Sequence, residues 1–210
     1  MSTDTLIPNI DRYLAYCKHL KVNAKGTIFQ PADAAESIFY IVEGTVVIMM
    51  EDRNGREMII GYSSAGNFLG ELGVYTTGLS YRDCRVVAKT DCKLGELPYD
   101  RFLELVRIYP SIMQGLDAQI VRQLKETTHR VLDLASLDTP DRVTRCLLDL
   151  CKLPQAKQLE NGVQIKVSRQ EISQIVGCTR ESVGRIIQKM NETGEVQSKG
   201  MTMLVYGAVK

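Results

Sequence analysis

The sequence has only two histidines, His19 and His129, far apart, and no Cys-x-x-Cys pair among its six cysteines (17, 84, 92, 146, 151 and 178). Zinc needs nitrogen or sulfur ligands at close spacing, and that pattern is missing. A disulfide scaffold is not suggested either, so the thiols are expected to be reduced and mainly packed. No apolar run approaches the ~20 residues that span a bilayer. Residues 1–20 lack the basic-then-apolar layout of a signal peptide, and the expected location is the cytoplasm. There is no phosphate-cradling P-loop and no metal or triad pattern, so no enzyme activity is expected. Charge of one sign is scarce as well: 26 Lys and Arg face 25 Asp and Glu, a net of +1.

That balance hides a split. From Thr139 to Lys210 there are 11 basic and 7 acidic residues, a net of +4, which leaves 15 against 18, a net of −3, for the remainder. A basic C-terminal module beside a mildly acidic one suits phosphate contact at one end. The 210 residues, 44% hydrophobic and 24% charged, suit one or two soluble domains with ample core.

The most informative stretch is Val167–Met190. Ser168 can cap a first helix, with Glu171 three residues on completing a capping box. Ile172, Ile175 and Val176 recur at helical spacing and point inward. Gly177-Cys178 breaks the pattern, and Thr179 caps a second helix whose buried stripe is Val183, Ile186, Ile187 and Met190. Its other face carries Arg180, Glu181, Arg185 and Lys189. The spacing predicts a helix-turn-helix. An Arg fork matches the O6 and N7 acceptors of guanine, and Glu accepts from the N4 amine of cytosine. The competing reading is an ordinary exposed Glu181–Arg185 ion pair, worth about 0.2–0.5 kcal/mol. Arg169 adds a phosphate-contacting candidate.

Upstream, residues 9–20 predict an amphipathic helix with Ile10, Tyr13, Leu14 and Cys17 on one side. From Lys25 to Leu97 short β segments follow, at Ser37–Val42, Thr45–Met50, Met58–Tyr62, Cys84–Ala88 and Lys93–Leu97, with Asn54-Gly55 as a hairpin turn. This spacing predicts a sandwich or barrel. Between them lies the glycine-rich turn Gly66–Gly73, with Arg82-Asp83 about ten residues later. Such a turn and a lone Arg can cradle an anion, or can be no more than a turn and a solvated side chain. Arg101–Leu134 reads as helix interrupted at Tyr109-Pro110. Ile120, Leu124, Thr127, Val131 and Leu134 form a heptad seam, suited to a second copy or to packing within the domain. Asp138 or Thr139 caps the next helix, with Pro140 opening it, and Val143, Cys146, Leu147 and Leu150 give that helix an apolar face. Gly194 ends the second helix of the pair. Glu195–Ser198 and Met201–Tyr206 then flank Lys199-Gly200 as a hairpin wing.

With these parts in this order, the chain resembles the cyclic-AMP receptor protein family of bacterial transcription regulators. The resemblance is strongest over Ser168–Arg185 and Thr202–Gly207 and clear over Gly66–Gly73 and Val87–Leu97. It implies an α+β fold: a cyclic-nucleotide-binding β-roll (a double-stranded antiparallel β jelly roll) over 1–110, a dimerisation helix over 111–137 and a winged helix-turn-helix over 138–210. It also implies a homodimer on double-stranded DNA, with two recognition helices in major grooves ~34 Å apart. Arg180, Glu181 and Arg185 match base-reading positions for a TGTGA-like half-site, Thr179 just before them is a further DNA-binding candidate, and Arg169 and Lys199 match backbone-contacting positions. Gly70, Glu71 and the following Leu72, with Arg82, match the ribose and phosphate pocket, and Thr127 and Thr128 the adenine contacts. His19, Lys21, Glu96 and Arg101 fall where relatives touch RNA polymerase, whereas Lys157–Gly162 differs in residue type from a second such surface.

Two positions depart from this pattern. Asp83 stands where cyclic-AMP binders place a phosphate-donating Ser, and Gln123 where they place an Arg. A carboxylate at ~4 Å from a phosphate, at an effective dielectric near 20, implies repulsion on the order of 4 kcal/mol before screening. Weakly bound cyclic AMP or no effector is therefore expected, and the family resemblance implies cyclic-di-GMP as the alternative. A nucleotide sensor without DNA specificity is the reading from another class, and the base-reading residues argue against it.

Overall fold

The computed structural model describes residues 7–76 and 81–207. In chain order the elements are α1 (Ile10–Leu14), β1 (Lys18–Val22), β2 (Thr27–Phe29), β3 (Ser37–Glu43), β4 (Thr45–Glu51), β5 (Glu57–Ser64), β6 (Phe68–Leu69), α2 (Leu72–Tyr75), β7 (Arg85–Ala88) and β8 (Cys92–Pro98). Then come α3 (Tyr99–Ile108), α4 (Pro110–Ser136), α5 (Thr139–Leu150), β9 (Lys157–Leu159), β10 (Gly162–Lys166), α6 (Arg169–Val176), α7 (Arg180–Glu192), β11 (Val196–Lys199) and β12 (Thr202–Tyr206). The chain forms two compact units, Met1–Glu51 with Ile60–Thr127, and Asp52–Ile59 with Thr128–Lys210.

In the first unit, antiparallel sheets of order β1-β8-β3-β6 and β2-β7-β4-β5 face each other. β3 shows how the sequence places them. Its side chains alternate, so Phe39 and Ile41 enter the core between the sheets with Val46, Val86 and Leu94. Ile38 and Tyr40 enter a second core, against Tyr13 of α1, Phe102 and Leu105 of α3, and Ile112 and Leu116 of α4. A strand buried on both faces reads as the continuous apolar run Ile38–Val42 rather than as alternation.

The expected helix over 9–20 is cut short: α1 is five residues long, and Lys18–Val22 pairs with β8 in the register Lys18↔Glu96 to Val22↔Cys92. The free edge of β8 decides this, because a local apolar pattern cannot register a partner some seventy residues away. β6 and α2, inside the expected glycine turn, were also not anticipated.

In the second unit α5, α6 and α7 bury Val143, Cys146, Leu147, Leu150, Ile172, Val176, Val183, Ile187 and Met190. They stand beside a sheet of order β11-β12-β10-β9. Asp138 caps α5 by accepting from the Asp141 N–H at 2.9 Å. All six cysteines are free, and burial pushes the Cys146 thiol up to about 12.

Candidate functional site

The helix pair α6–α7 is set by its caps. Ser168 Oγ accepts the Glu171 N–H at 3.1 Å, and Thr179 Oγ1 accepts the Ser182 N–H at 3.1 Å. Between them Gly177, at φ 74°, adopts the left-handed turn that ends α6 and lets α7 start at once in a new direction. Val183, Ile187 and Met190 of α7 face the core, while Arg180, Glu181, Arg185 and Lys189 stand in solvent. Ile186, expected in the buried stripe, is half-buried, because it lies at the edge of the apolar arc; Ser173 of α6 is buried instead, at 2% exposure.

Among the described residues Glu181 and Arg185 form no ion pair with each other. The Arg185 guanidinium instead donates weakly to Ser182 Oγ at 3.4 Å, on its own helix. Both groups thus keep hydrogen-bonding capacity for an outside partner. The Arg169 guanidinium reaches the Gly200 carbonyl at the wing tip at 3.5 Å, and Lys199 beside it is exposed. Asn191, a polar helix residue with no local signal of its own, fixes the wing. Its amide donates to Ser198 Oγ at 2.9 Å and to the Ile187 carbonyl at 2.8 Å, and accepts the Ser198 N–H at 2.8 Å. The result is one basic face built from the ends of α6 and α7 and the β11–β12 turn.

In the first unit the structure brings together Gly70, Glu71, Arg82 and Asp83. Arg82 is only 8% exposed, and its guanidinium is already engaged. It donates to the Tyr99 hydroxyl at 2.9 Å and to the Ser37 carbonyl at 2.6 Å, and stacks 4.4 Å from the centre of the Phe29 ring. Tyr99 in turn donates to the Gly70 carbonyl at 2.7 Å. The Arg82 Nε–H is buried without a partner. Gly70 is required here twice over: its φ is +79°, and a Cβ would come within 2.3 Å of Arg82 Nη1. Two of the five guanidinium N–H groups are thus already committed to the protein, and the remaining three are what an anion could meet.

The Glu71 carboxylate lies close enough to Asp83 and Arg82 to interact with both. Burial raises the Glu71 pKa above the ordinary carboxylate value, and the Asp83 charge adds to it; Arg82 and nearby backbone N–H groups pull the other way. Asp83 itself is exposed, so water screens it and the unscreened repulsion of about 4 kcal/mol is an upper bound. Leu72 is 59% exposed at the start of α2. Gln123 and Thr127 lie on α4 and bond each other, Thr127 Oγ1 donating to the Gln123 carbonyl at 2.9 Å. The Thr127 hydroxyl is thus turned back onto its own helix.

Of the four positions in the first unit matched to polymerase contact, His19, Lys21 and Arg101 are exposed. Glu96 is half-buried; it accepts the Ser37 hydroxyl at 3.0 Å and pairs with Lys18 at 3.7 Å. Arg101 pairs with Glu104 on its own helix at 3.0 Å. No helix among the described residues is long and apolar enough to cross a membrane, and no cluster of His, Cys, Asp or Glu could hold a metal ion.

A sandwich with a glycine-turn pocket, a long helix and a winged helix-turn-helix define a DNA-binding transcription regulator with an effector domain. Comparison with known proteins agrees: residues 19–109 match the cyclic nucleotide-binding domain and residues 141–205 the Crp-like helix-turn-helix domain. The chain is 44% identical over 203 residues to the cAMP-activated global transcriptional regulator Vfr of Pseudomonas aeruginosa, covering 96% of this chain and 95% of that one. It is 40% identical over 200 residues to the cAMP-activated global transcriptional regulator CRP of Escherichia coli, covering 95% of each. Among solved structures it is similar to the c-di-GMP-responsive global regulator CLP of Xanthomonas campestris, with TM-score 0.87, 34% identity, and 95% and 98% of the two chains covered. The chain belongs to the cyclic-AMP receptor protein family.

Proposed function

We propose that the protein acts in the cytoplasm as a homodimer, by binding rather than catalysis. It reads a TGTGA-like pseudo-palindrome through two copies of α7, under the control of a nucleotide effector in the first unit. The observation that carries this reading is the exposed face of α7, where Arg180, Glu181 and Arg185 stand unpaired with one another behind the Thr179 cap. Arg169 and Lys199 supply the backbone contacts, and His19, Lys21, Glu96 and Arg101 form the surface offered to RNA polymerase. Glu96 is the least available of the four, since its carboxylate already serves Ser37 and Lys18.

A gel shift on a TGTGA palindrome against a scrambled duplex at physiological salt tests it; equal affinity for both would sink the reading. Arg185→Ala and Glu181→Ala should each relax preference at one position per half-site, at a cost of about 1–3 kcal/mol. Arg169→Ala should instead weaken all sequences alike and lower the salt slope.

For the effector, an Arg82 guanidinium already committed in part to Tyr99 and Ser37, with the Glu71 and Asp83 carboxylates nearby, supports weak cyclic-AMP binding at Gly70, Glu71, Leu72, Arg82, Asp83, Gln123, Thr127 and Thr128. The likeness to a c-di-GMP-responsive regulator favours a second reading, in which the N–H donors of a guanine edge meet Glu71 and Asp83. Calorimetric titration of the wild type and of Asp83→Ser/Gln123→Arg with each nucleotide separates them. The double variant should bind cyclic AMP at least tenfold more tightly, about 1.4 kcal/mol. Wild-type affinity for cyclic AMP should also rise as pH falls. Glu71 has a raised pKa, so it takes up a proton first and sheds the charge that repels the phosphate. Micromolar, pH-independent binding by the wild type, unchanged in the double variant, would remove the electrostatic argument.

A further inference from the structure

β6 is a two-residue edge strand whose inner side pairs with β3, Phe39 opposite Leu69 and Tyr40 opposite Phe68. That leaves the Phe68 N–H and C=O on the outer edge, where two buried backbone groups need partners. No strand supplies them. The side-chain amide of Gln119 does: its oxygen accepts the Phe68 N–H at 2.7 Å and its nitrogen donates to the Phe68 carbonyl at 2.9 Å. Gln119 is 2% exposed and thus acts as the next strand of the sheet while belonging to α4. Two more bonds flank it. The Arg122 guanidinium donates to the Asn67 side-chain oxygen at 2.7 Å, and the Tyr75 hydroxyl donates to the Asp117 carboxylate at 2.5 Å. α4 is therefore gripped at 117, 119 and 122 by both ends of the segment 67–75, the segment that carries Gly70 and Glu71.

We infer that Gln119 is a positioning residue that sets the rotation and axial register of α4 from the pocket segment, and so couples the effector pocket to the dimer helix. The two-point amide pairing is directional in a way that apolar packing is not. A slip of α4 by one residue rotates it ~100° and moves it 1.5 Å, which breaks both bonds. Beyond Gln119 the helix carries Gln123 and Thr127, then the exposed Leu124, Val131 and Leu134. A displacement of the Phe68 peptide is passed to the helix positions that follow in the first unit, Gln123, Leu124 and Thr127. The inference rests on the proposed dimer and effector readings, and the dimer and DNA measurements below are made without nucleotide, so that they test the clamp while the wild-type nucleotide titration tests the effector reading.

Gln119→Glu provides the test. Protonated, its carboxyl offers one acceptor and one O–H donor in the geometry of the amide; ionised, it can only accept and opposes the Phe68 carbonyl. Burial raises the carboxyl's pKa toward the neutral range. Dimer dissociation by sedimentation and specific-DNA affinity by anisotropy are measured at pH 6 and pH 8 as ratios to the wild type. The other ionisable groups of the junction (Glu71, Tyr75, Asp117 and Arg122) are common to both proteins, so their titration cancels in the ratio. Both ratios should show a loss of tenfold or more at pH 8 and recover to within about threefold at pH 6. Gln119→Leu, which offers no donor or acceptor at any pH, should show the loss at both. Ratios near one for both variants, or a pH-independent loss in Gln119→Glu, overturn the inference: Gln119 would then only fill space at the sheet edge. A Gln119→Leu that does not fold leaves the decision to Gln119→Glu.

Discussion

A folded monomer that has lost specific DNA binding is the expected product of Val131→Asp, and Leu134→Asp should behave alike. In a single protomer Leu124, Val131 and Leu134 are 65%, 59% and 60% exposed, three large apolar side chains at heptad spacing on one helix. Burying each against a second copy contributes about 1.5–3 kcal/mol per side chain, counted on both protomers. In the proposed dimer a carboxylate in that seam would face its symmetry mate in an apolar contact, and the desolvation of two charges should exceed what the remaining pairs supply. The protomer's own cores do not use Val131, so its fold and far-ultraviolet dichroism should be unchanged. Specific affinity should fall by at least about a hundredfold, and the salt slope should halve, because a monomer neutralises half as many phosphates. Sedimentation showing an intact dimer in both variants would place the interface elsewhere.

What could be read in the sequence, and what could not, divides by distance along the chain. The helix-turn-helix was legible because its determinants are local: a cap at Ser168, a break at Gly177, a cap at Thr179, and apolar spacing between them. The strands β3, β4 and β5 were legible from runs and turns of a few residues. The fate of Lys18–Val22 was not, since nothing within ten residues tells a short polar helix from an edge strand; β8 does. The pocket was legible only in part. Gly70, Glu71 and Arg82 are near enough to suggest an anion cradle, but the groups that occupy Arg82 are Tyr99 and Ser37, 17 and 45 positions away. Tyr99 reads as an ordinary first residue of α3, and Ser37 takes part through its carbonyl, which any residue has. Gln119 carries no signal at all: a polar residue on a long helix reads as solvent-facing until its partner, 51 residues off, is known. Long-range pairing of backbone with side chain is what a local reading of one sequence lacks.

Phe68→Ala is expected to destabilise the first unit by about 3–5 kcal/mol. Phe68 is fully buried, and its ring meets Tyr40 at 5.0 Å, Tyr13 at 5.5 Å and Phe102 at 6.0 Å, each edge-on. Edge-to-face pairs contribute about 0.5–1.5 kcal/mol each beyond the area they bury, so removing one ring disrupts three such contacts and opens a cavity among β3, α1 and α3. The surrounding rings hang from three different elements, and collapse around the void would require all three to move, which places the cost toward the upper end of the range. In thermal unfolding followed by dichroism the midpoint of the first unit should fall by roughly 10–20 °C. Phe68→Leu, which keeps most of the volume and loses the ring geometry, should fall between the two proteins. The second unit has its own core, so DNA-binding helices α6 and α7 should keep their secondary structure at temperatures where the first unit has lost its own. A shift under about 3 °C in Phe68→Ala would mean that the aromatic cluster is not packed as described, and with it the edge that Gln119 closes.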